Sequence, residues 1–397
     1  MLKNKKINIL LIIFISIIFC SNSNDEYVIL VSFDGFRYDY VDRVETYYFD
    51  YVEKWGVKAQ SLKPVFPSFT FPNHYAIATG CYSNKHKIIG NEFTNEQGRY
   101  SYKDKNSVQD AKWYGAEPIW VTAEKNNIIT ATYFWVGSEA KIGGYYPTYY
   151  KEYESGINPY DKVDQAISWL ELPISSRPRL VCLYFNEPDH AGHVFGPNSI
   201  EVTNEIKSSD DILGYLLKSI SKLDIFNKIN IVIVSDHGMV DVSENRVINI
   251  DNLNLPGVLD GKGPVVSFKV DSEANFSINE FNIPNVSMVS SRNNNNLNYH
   301  NSLYDYLLIA DEGWMMYKNN HIEEYNGKLP VKGMHGYDSD YMNMHAIFYA
   351  YGSRFKENYK IETFELIHIY PLLCELLGVN PNDNIDGDLK ILKSILK

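Results

Sequence analysis

Cysteine is scarce in this chain. Its 397 residues hold four, Cys20, Cys81, Cys182 and Cys374, too few for a disulfide framework once the leader is set aside. Cys182 lies inside an apolar run, where a buried free thiol is expected. Positive charge is short too, with 37 Lys and Arg against 49 Asp and Glu, a formal net charge of −12. A nucleic-acid-binding surface needs a basic face, so the balance argues against that class. A small anionic substrate held through bound cations remains compatible with it. Long apolar runs are nearly absent. The only one, Ile9 to Cys20, follows Lys3, Lys5 and Lys6 and precedes polar SNSND. It is shorter than the ~18 residues of a spanning helix and has the flanks of a secretory signal, predicted over residues 1–23. An uncleaved N-terminal anchor is the alternative, so the expected location is extracellular or membrane-attached through that segment. Phe19 before Cys20 is bulky where a lipidation site wants a small residue, and the C-terminal DLKILKSILK reads neither as a span nor as a lipid-anchor signal. Internal repeats are missing as well.

What is present suffices for a large core, because 45% of the residues are hydrophobic. Tyr27–Phe33, Leu180–Phe185 and Ile229–Ser235 are nearly continuous apolar runs, the pattern of strands buried on both faces. Val57–Leu62, Ile128–Phe134 and His345–Tyr351 read as further strands. Helices are predicted over Asp39–Trp55, Pro159–Leu172 and Ser199–Leu223 (opened by Asn198), with a terminal helix over Glu362–Leu377 kinked at Pro371. Strands alternating with helices imply a layered α/β/α sandwich around a largely parallel sheet, within one domain over residues 24–397. From Asn252 to Gly333 the pattern weakens to short strands (Val265–Val270, Tyr304–Ala310) among polar stretches, including Asn293–Asn296. That segment reads as an inserted subdomain or lid. Asn275-Phe-Ser and Asn285-Val-Ser within it are glycosylation acceptors in a host that glycosylates.

The chemistry collects around FPSFTFPNHYAIATG, Phe66 to Gly80. Pro72 fits the first turn of a helix, which puts Thr70 at or just before a helix start. Unpaired backbone N–H groups there make a seat for phosphate. Thr70 is either a helix cap, the commoner use of threonine at such a place, or a nucleophile. Three carboxylates bear on the choice. Asp34 ends the first apolar run, Asp189 follows the second, and Asp236 ends the third, so all three belong to the carboxyl edge of the sheet where ligands bind. Each alone passes for a turn or cap residue. Histidines accompany them: His193 four residues after Asp189, His237 next to Asp236, and His335 between glycines in GMHGYD. Carboxylate and imidazole with almost no thiolate suit Zn²⁺ or another divalent first-row ion. His74, His86, His190, His300, His321, His345 and His368 are left as structural or surface residues. A pair of cations favours a threonine alkoxide and spans both oxygens of an in-line phosphoryl displacement. Asn91, in IIGNEF, is the best neutral donor for charge building on phosphorus oxygens.

Taken together, DGF at Asp34, TFPNHY at Thr70, GN at Asn91, EPD-x-x-GH-x-x-GP from Glu187, SDHGM from Ser235 and HG at His335 closely resemble the nucleotide pyrophosphatase/phosphodiesterase family of the alkaline phosphatase superfamily. The resemblance runs in motif order from about Tyr27 to the end. It implies an alkaline-phosphatase-like fold and two zinc ions, one held by Asp189, His193 and His335, the other by Asp34, Thr70, Asp236 and His237. It implies Thr70 as nucleophile, forming a covalent intermediate that water hydrolyses, and Asn91 on a non-bridging phosphate oxygen. In nucleotide-acting members the base stacks between two aromatics, here Phe71 and, by the YPTYYKEY alignment, Tyr153, although Tyr149, Tyr150 and Tyr160 crowd the same stretch. Cysteine-rich N-terminal modules and a C-terminal nuclease-like domain are not seen, so the chain resembles the compact members.

The reading is therefore a secreted zinc phosphodiesterase that splits nucleotide phosphodiesters and pyrophosphates to release nucleoside 5′-monophosphates. Choline- or lipid-linked phosphodiesters are the alternative substrates. A non-catalytic ectoprotein normally loses a ligand or the nucleophile, whereas every expected position is filled. The sulfatase segments Cys-x-Pro-x-Arg and Ser-x-Pro-x-Arg are missing.

Overall fold

The computed structural model describes residues 26–278, 282–292, 294–324 and 328–397. The predicted leader and Asn293 lie outside them. Eight strands build the central sheet: β1 (Tyr27–Phe33), β2 (Val57–Ala59), β3 (Thr130–Tyr133), β4 (Tyr149–Lys151), β5 (Leu180–Phe185), β6 (Ile229–Val234), β7 (Phe348–Gly352) and β8 (Tyr359–Ile361). Their order is β8-β2-β7-β6-β1-β5-β3-β4. The three apolar runs take the centre, with β1 parallel to β5 on one side and to β6 on the other. β3 and β4 extend the parallel part. β7 is antiparallel to both of its neighbours, which makes the sheet mixed but largely parallel.

Both faces of the sheet are covered, which is why its central strands are apolar at nearly every position. Alternation still sorts the side chains. Val28 and Leu30 pack with Cys182 and Val232 on one face, and Ile29, Val31 and Phe33 with Leu183 and Ile231 on the other. The principal helices are α1 (Tyr47–Trp55), α2 (Thr70–Thr79), α3 (Ile119–Lys125), α4 (Pro159–Leu170), α5 (Asp189–Phe195), α6 (Ile200–Ile220) and α7 (Ile369–Leu377). α2, α3 and α7 cover the Leu30 face, whereas α1, α4 and α6 cover the Ile29 face. Three layers result, as the alternation of elements predicts. Each fully buried Leu or Ile contributes about 1.5–3 kcal/mol of transfer free energy.

Several local expectations are corrected. The helix predicted over Asp39–Trp55 is a 3-10 turn, Tyr40–Arg43, followed by α1, because β-branched Thr46 is extended (φ −125°, ψ 91°) between them. Val57–Leu62 is not one strand, since Leu62–Lys63 leaves the sheet to pair with Phe364–Glu365. Ser199, not Asn198, caps α6, its side chain accepting the Val202 N–H. The terminal helix starts only at Ile369, after that short strand and a 3-10 turn. Pro371 thus falls in the first turn, where its missing N–H costs no intrahelical bond, and no kink is required. Between Asn252 and Gly333 a separate antiparallel sheet forms from Gly257–Lys262, Val265–Val270, Tyr306–Ala310 and Val286–Ser290. Val266, Phe268 and Leu308 make its core.

Candidate active site

The ends of β1, β5 and β6 deliver the three carboxylates to one edge. Asp34 follows β1 directly, Asp236 lies just past β6, and Asp189 opens α5 after β5. Backbone bonds stitch the edge together: the Asp189 N–H donates to the Asp34 carbonyl at 3.0 Å, and the Gly35 N–H to Asp236 Oδ1 at 3.1 Å. Gly35 has left-handed φ (+66°), and a Cβ there would stand 2.8 Å from the Asp189 Cα. Only glycine permits both the turn and that approach. His335 arrives from the other direction, directly after a short strand (Gly333–Met334) antiparallel to Val240–Asp241 just beyond His237.

Two groups of ligand-type atoms result. In Asp189, His193 and His335, and again in Asp34, Asp236 and His237, one such atom from each residue lies within 4.8 Å of the others. The groups adjoin, since the His237 and His335 rings stack with centroids 3.5 Å apart. Every imidazole is oriented the same way. His237 Nδ1 donates to the Gly238 carbonyl (2.9 Å), His193 Nδ1 to Gly333 (2.8 Å) and His335 Nδ1 to Ser68 (2.9 Å). Such bonds fix the tautomer and leave each Nε2 lone pair facing inward, as metal ligation requires. The carboxylates match. Asp34 Oδ1, Asp189 Oδ1 and Asp236 Oδ2 are buried without a hydrogen-bond donor. Unpaired buried oxygens are expensive unless a cation takes them. The donor set thus fits two divalent ions bound through nitrogen and oxygen.

The electrostatics lean the same way. Burial, then the negative charges of Asp236 and Asp189, push the Asp34 carboxyl well above its usual range. Burial also acts to raise Asp236, but His237 and His74 outweigh it and hold Asp236 well below. Burial, then the neighbouring His237 and His193, keep His335 well below the ordinary histidine value, hence neutral.

Thr70 is the first residue of α2. Phe69 occupies the cap position, extended and without a side-chain cap bond. The Thr70 hydroxyl instead sits 3.2 Å from His237 Nε2. Asn73 fixes the approach to it: Oδ1 accepts the Val65 N–H (2.7 Å), while Nδ2 donates to the Pro67 (3.1 Å) and Phe69 (2.8 Å) carbonyls. Asn91 Oδ1 accepts the Phe71 N–H at 2.9 Å, which leaves its NH₂ as the available donor beside the helix start. The Phe71 ring is half-buried against Tyr102, with centroids 5.6 Å apart. Among the crowded tyrosines, Tyr149 stacks on Trp169, Tyr150 on Tyr146, and Tyr160 packs edge-on to Tyr215. Tyr153 differs. It is 59% exposed, and burial, then the charge of Asp34, raises its phenol.

The type I phosphodiesterase/nucleotide pyrophosphatase family matches residues 28–338. This chain belongs to that family. A venom phosphodiesterase of Crotalus durissus collilineatus is 32% identical over 389 residues, covering 93% of this chain but 46% of the snake protein. The chain therefore spans about half the length of the venom relatives it matches. Human ectonucleotide pyrophosphatase/phosphodiesterase family member 5 is 32% identical over 378 residues, covering 92% of this chain and 77% of that protein. The structure of the murine member 5, an inactive variant in complex with AMP, superposes with a TM-score of 0.86 at 30% identity, covering 94% of this chain and 100% of that one.

Other residues packed against these carboxylates escape a linear reading. His74, grouped above with the structural histidines, is fully buried against Asp236 Oδ2, with Nδ1 3.3 Å away. Its Nδ1 also donates to the Thr70 carbonyl (3.0 Å), and its Nε2 meets Ser32 Oγ (2.8 Å). Tyr184 donates to Asp34 Oδ2 at 2.6 Å. His74 stands four residues after Thr70, the helical spacing that was the available signal. Tyr184 carried none, being one aromatic in an apolar strand.

Proposed function

We propose that this chain is a secreted, two-zinc phosphodiesterase that hydrolyses nucleotide phosphodiester and pyrophosphate bonds to release nucleoside 5′-monophosphates. The observation that carries the reading is the Thr70 hydroxyl at a helix start, 3.2 Å from His237 Nε2, beside two adjoining groups of inward-facing ligand atoms. The relatives support the substrate class, since one neighbouring structure holds AMP. Asp189, His193 and His335 would hold one zinc, and Asp34, Asp236, His237 and the Thr70 oxygen would hold the other. Bound, the ions favour the alkoxide and neutralise charge on the attacking and leaving oxygens.

The side chains supply the rest. Thr70 Oγ1 attacks phosphorus, the bond to the leaving oxygen breaks, and a threonine phosphoester remains for water to cleave. The Asn91 NH₂ donates to a non-bridging oxygen. Phe71 and Tyr153 flank the base. His74 holds the Thr70 carbonyl and Asp236 together, which positions nucleophile and ligand as a unit. The segment from Asn252 to Gly333 acts as an inserted subdomain. Among the described residues no helix is long and apolar enough to cross a membrane.

Turnover of a 5′-nucleotide p-nitrophenyl ester and a phosphocholine ester under identical conditions tests the reading. Preference for the nucleotide ester supports it, and preference for phosphocholine replaces it with the choline- or lipid-ester alternative. Turnover that survives chelation removes the metal mechanism altogether.

A further inference from the structure

Lys162 belongs to neither ligand group, yet it is a costly residue to keep. It is 3% exposed in the first turn of α4, where the helix dipole opposes a cation. Burial pulls its ammonium down to about 8, and no carboxylate contributes to offset that. A methionine of similar length fills such a space without desolvating a charge. The contacts of Nζ show what the charge holds. It donates to the Tyr184 carbonyl at 3.1 Å and faces the rings of Phe134 (4.9 Å), Phe185 (5.4 Å) and Tyr184 (5.9 Å).

Two of these neighbours lead into the site. The Phe134 ring packs on Tyr153, with centroids 5.3 Å apart and planes at 58°. Phe134 also keeps a positive φ of 62°, unusual for a bulky residue and in need of support from its surroundings. Tyr184 reaches from its strand to Asp34 Oδ2. We propose that Lys162 is a positioning residue that braces Phe134 behind Tyr153 and the Tyr184 strand end behind Asp34, so that one buried cation aligns the nucleobase clamp with the reacting phosphorus. The inference rests on the nucleotide reading above.

The experiment compares kcat and KM for a 5′-nucleotide p-nitrophenyl ester and for base-free methyl p-nitrophenyl phosphate, in wild type, Lys162→Met and Lys162→Arg. Metal content and thermal unfolding are followed in parallel. Loss of a desolvated cation–π brace lowers the nucleotide-over-base-free preference in kcat/KM by about 5-fold or more, chiefly through KM for the nucleotide ester. Lys162→Arg, which keeps the charge, restores most of it. Phe134→Leu removes the ring between Lys162 and Tyr153 while sparing the bond to Tyr184, and lowers the preference in the same direction even where Lys162→Met folds poorly. A preference unchanged in Lys162→Met and Phe134→Leu overturns the proposal, whether or not overall activity falls. Wild-type enzyme that handles both esters equally well refutes the nucleotide reading instead, before any variant is made.

Discussion

Replacing Tyr184 by phenylalanine removes a single oxygen and leaves the ring in place. That oxygen donates to Asp34 Oδ2 at 2.6 Å, with both residues largely shielded from water. A hydrogen bond to a charged group contributes about 1.5–3 kcal/mol. That contribution favours the ionised form of Asp34 and is lost with the hydroxyl. The sign follows from the neighbours. Burial, then Asp236 and Asp189, already push Asp34 up, and Tyr184 works against them, so its loss sends the carboxyl higher. A protonated Asp34 cannot ligate a cation. Metal affinity at neutral pH should fall about 10–100-fold, the usual cost of losing a partner that orients a ligand. The acid limb of metal retention should move to higher pH. Linkage gives a second readout. A carboxyl whose pKa is higher folded than unfolded contributes stability in acid and loses it as pH rises through that window. Metal-free Tyr184→Phe should therefore lose more stability than metal-free wild type as pH rises above the ordinary carboxylate range. Competitive chelation across pH and denaturant unfolding of the metal-free forms measure both effects. Retention curves that coincide for variant and wild type refute the reasoning.

Thr70→Ala should lower turnover by about 10³-fold or more even at saturating zinc, because the variant loses the proposed nucleophile together with one proposed ligand of the second ion. Near-wild-type rates with metals bound would take Thr70 out of that role. Chelation should abolish turnover and lower the melting temperature, since it exposes the unpaired oxygens of Asp34, Asp189 and Asp236 to one another. On reloading with zinc, activity should return with the second ion and not the first, as read by metal analysis against rate. Gly35→Ala forces an alanine into a left-handed backbone at a cost of about 1–2 kcal/mol. Its Cβ would also meet the Asp189 Cα at 2.8 Å. Denaturant unfolding should show the stability loss, and kcat/KM should fall further than that loss explains; unchanged metal affinity would count against the coupling.

The layered sheet is legible in the sequence because its three central strands are almost wholly apolar, as strands covered on both faces are. The antiparallel β7 was invisible, because direction leaves no trace in a strand's own residues. Glu362–Leu377 looked helical by its apolar content, although its first turns are set by pairing between Phe364–Glu365 and distant Leu62–Lys63. At the site, motifs at strand ends are local and readable. His74 and Tyr184 were not, since what defines them is a carboxylate oxygen across the sheet: Asp236 lies 162 positions from His74, and Asp34 lies 150 from Tyr184.

The proposed anionic diester substrate sits uneasily with a net charge of −12, and charge counting at the site resolves it. The two groups contribute three carboxylates and three histidines, and one of those histidines, His335, is held neutral by burial. With all three imidazoles neutral as ligands, all three carboxylates ionised and the Thr70 hydroxyl still protonated, the ligand set carries −3; one divalent ion brings it to −1 and two bring it to +1. A phosphodiester monoanion is thus repelled by the half-loaded site and attracted only by the full one. At an effective dielectric constant of 20, two unit charges 4 Å apart interact by about 4 kcal/mol, enough to separate the two states by orders of magnitude in affinity. Surface charges more than about 10 Å away are screened by salt and hardly enter. The same carboxylates that make the metal-free edge hostile to phosphate therefore make it receptive once both ions are bound, and substrate affinity becomes a measure of double occupancy.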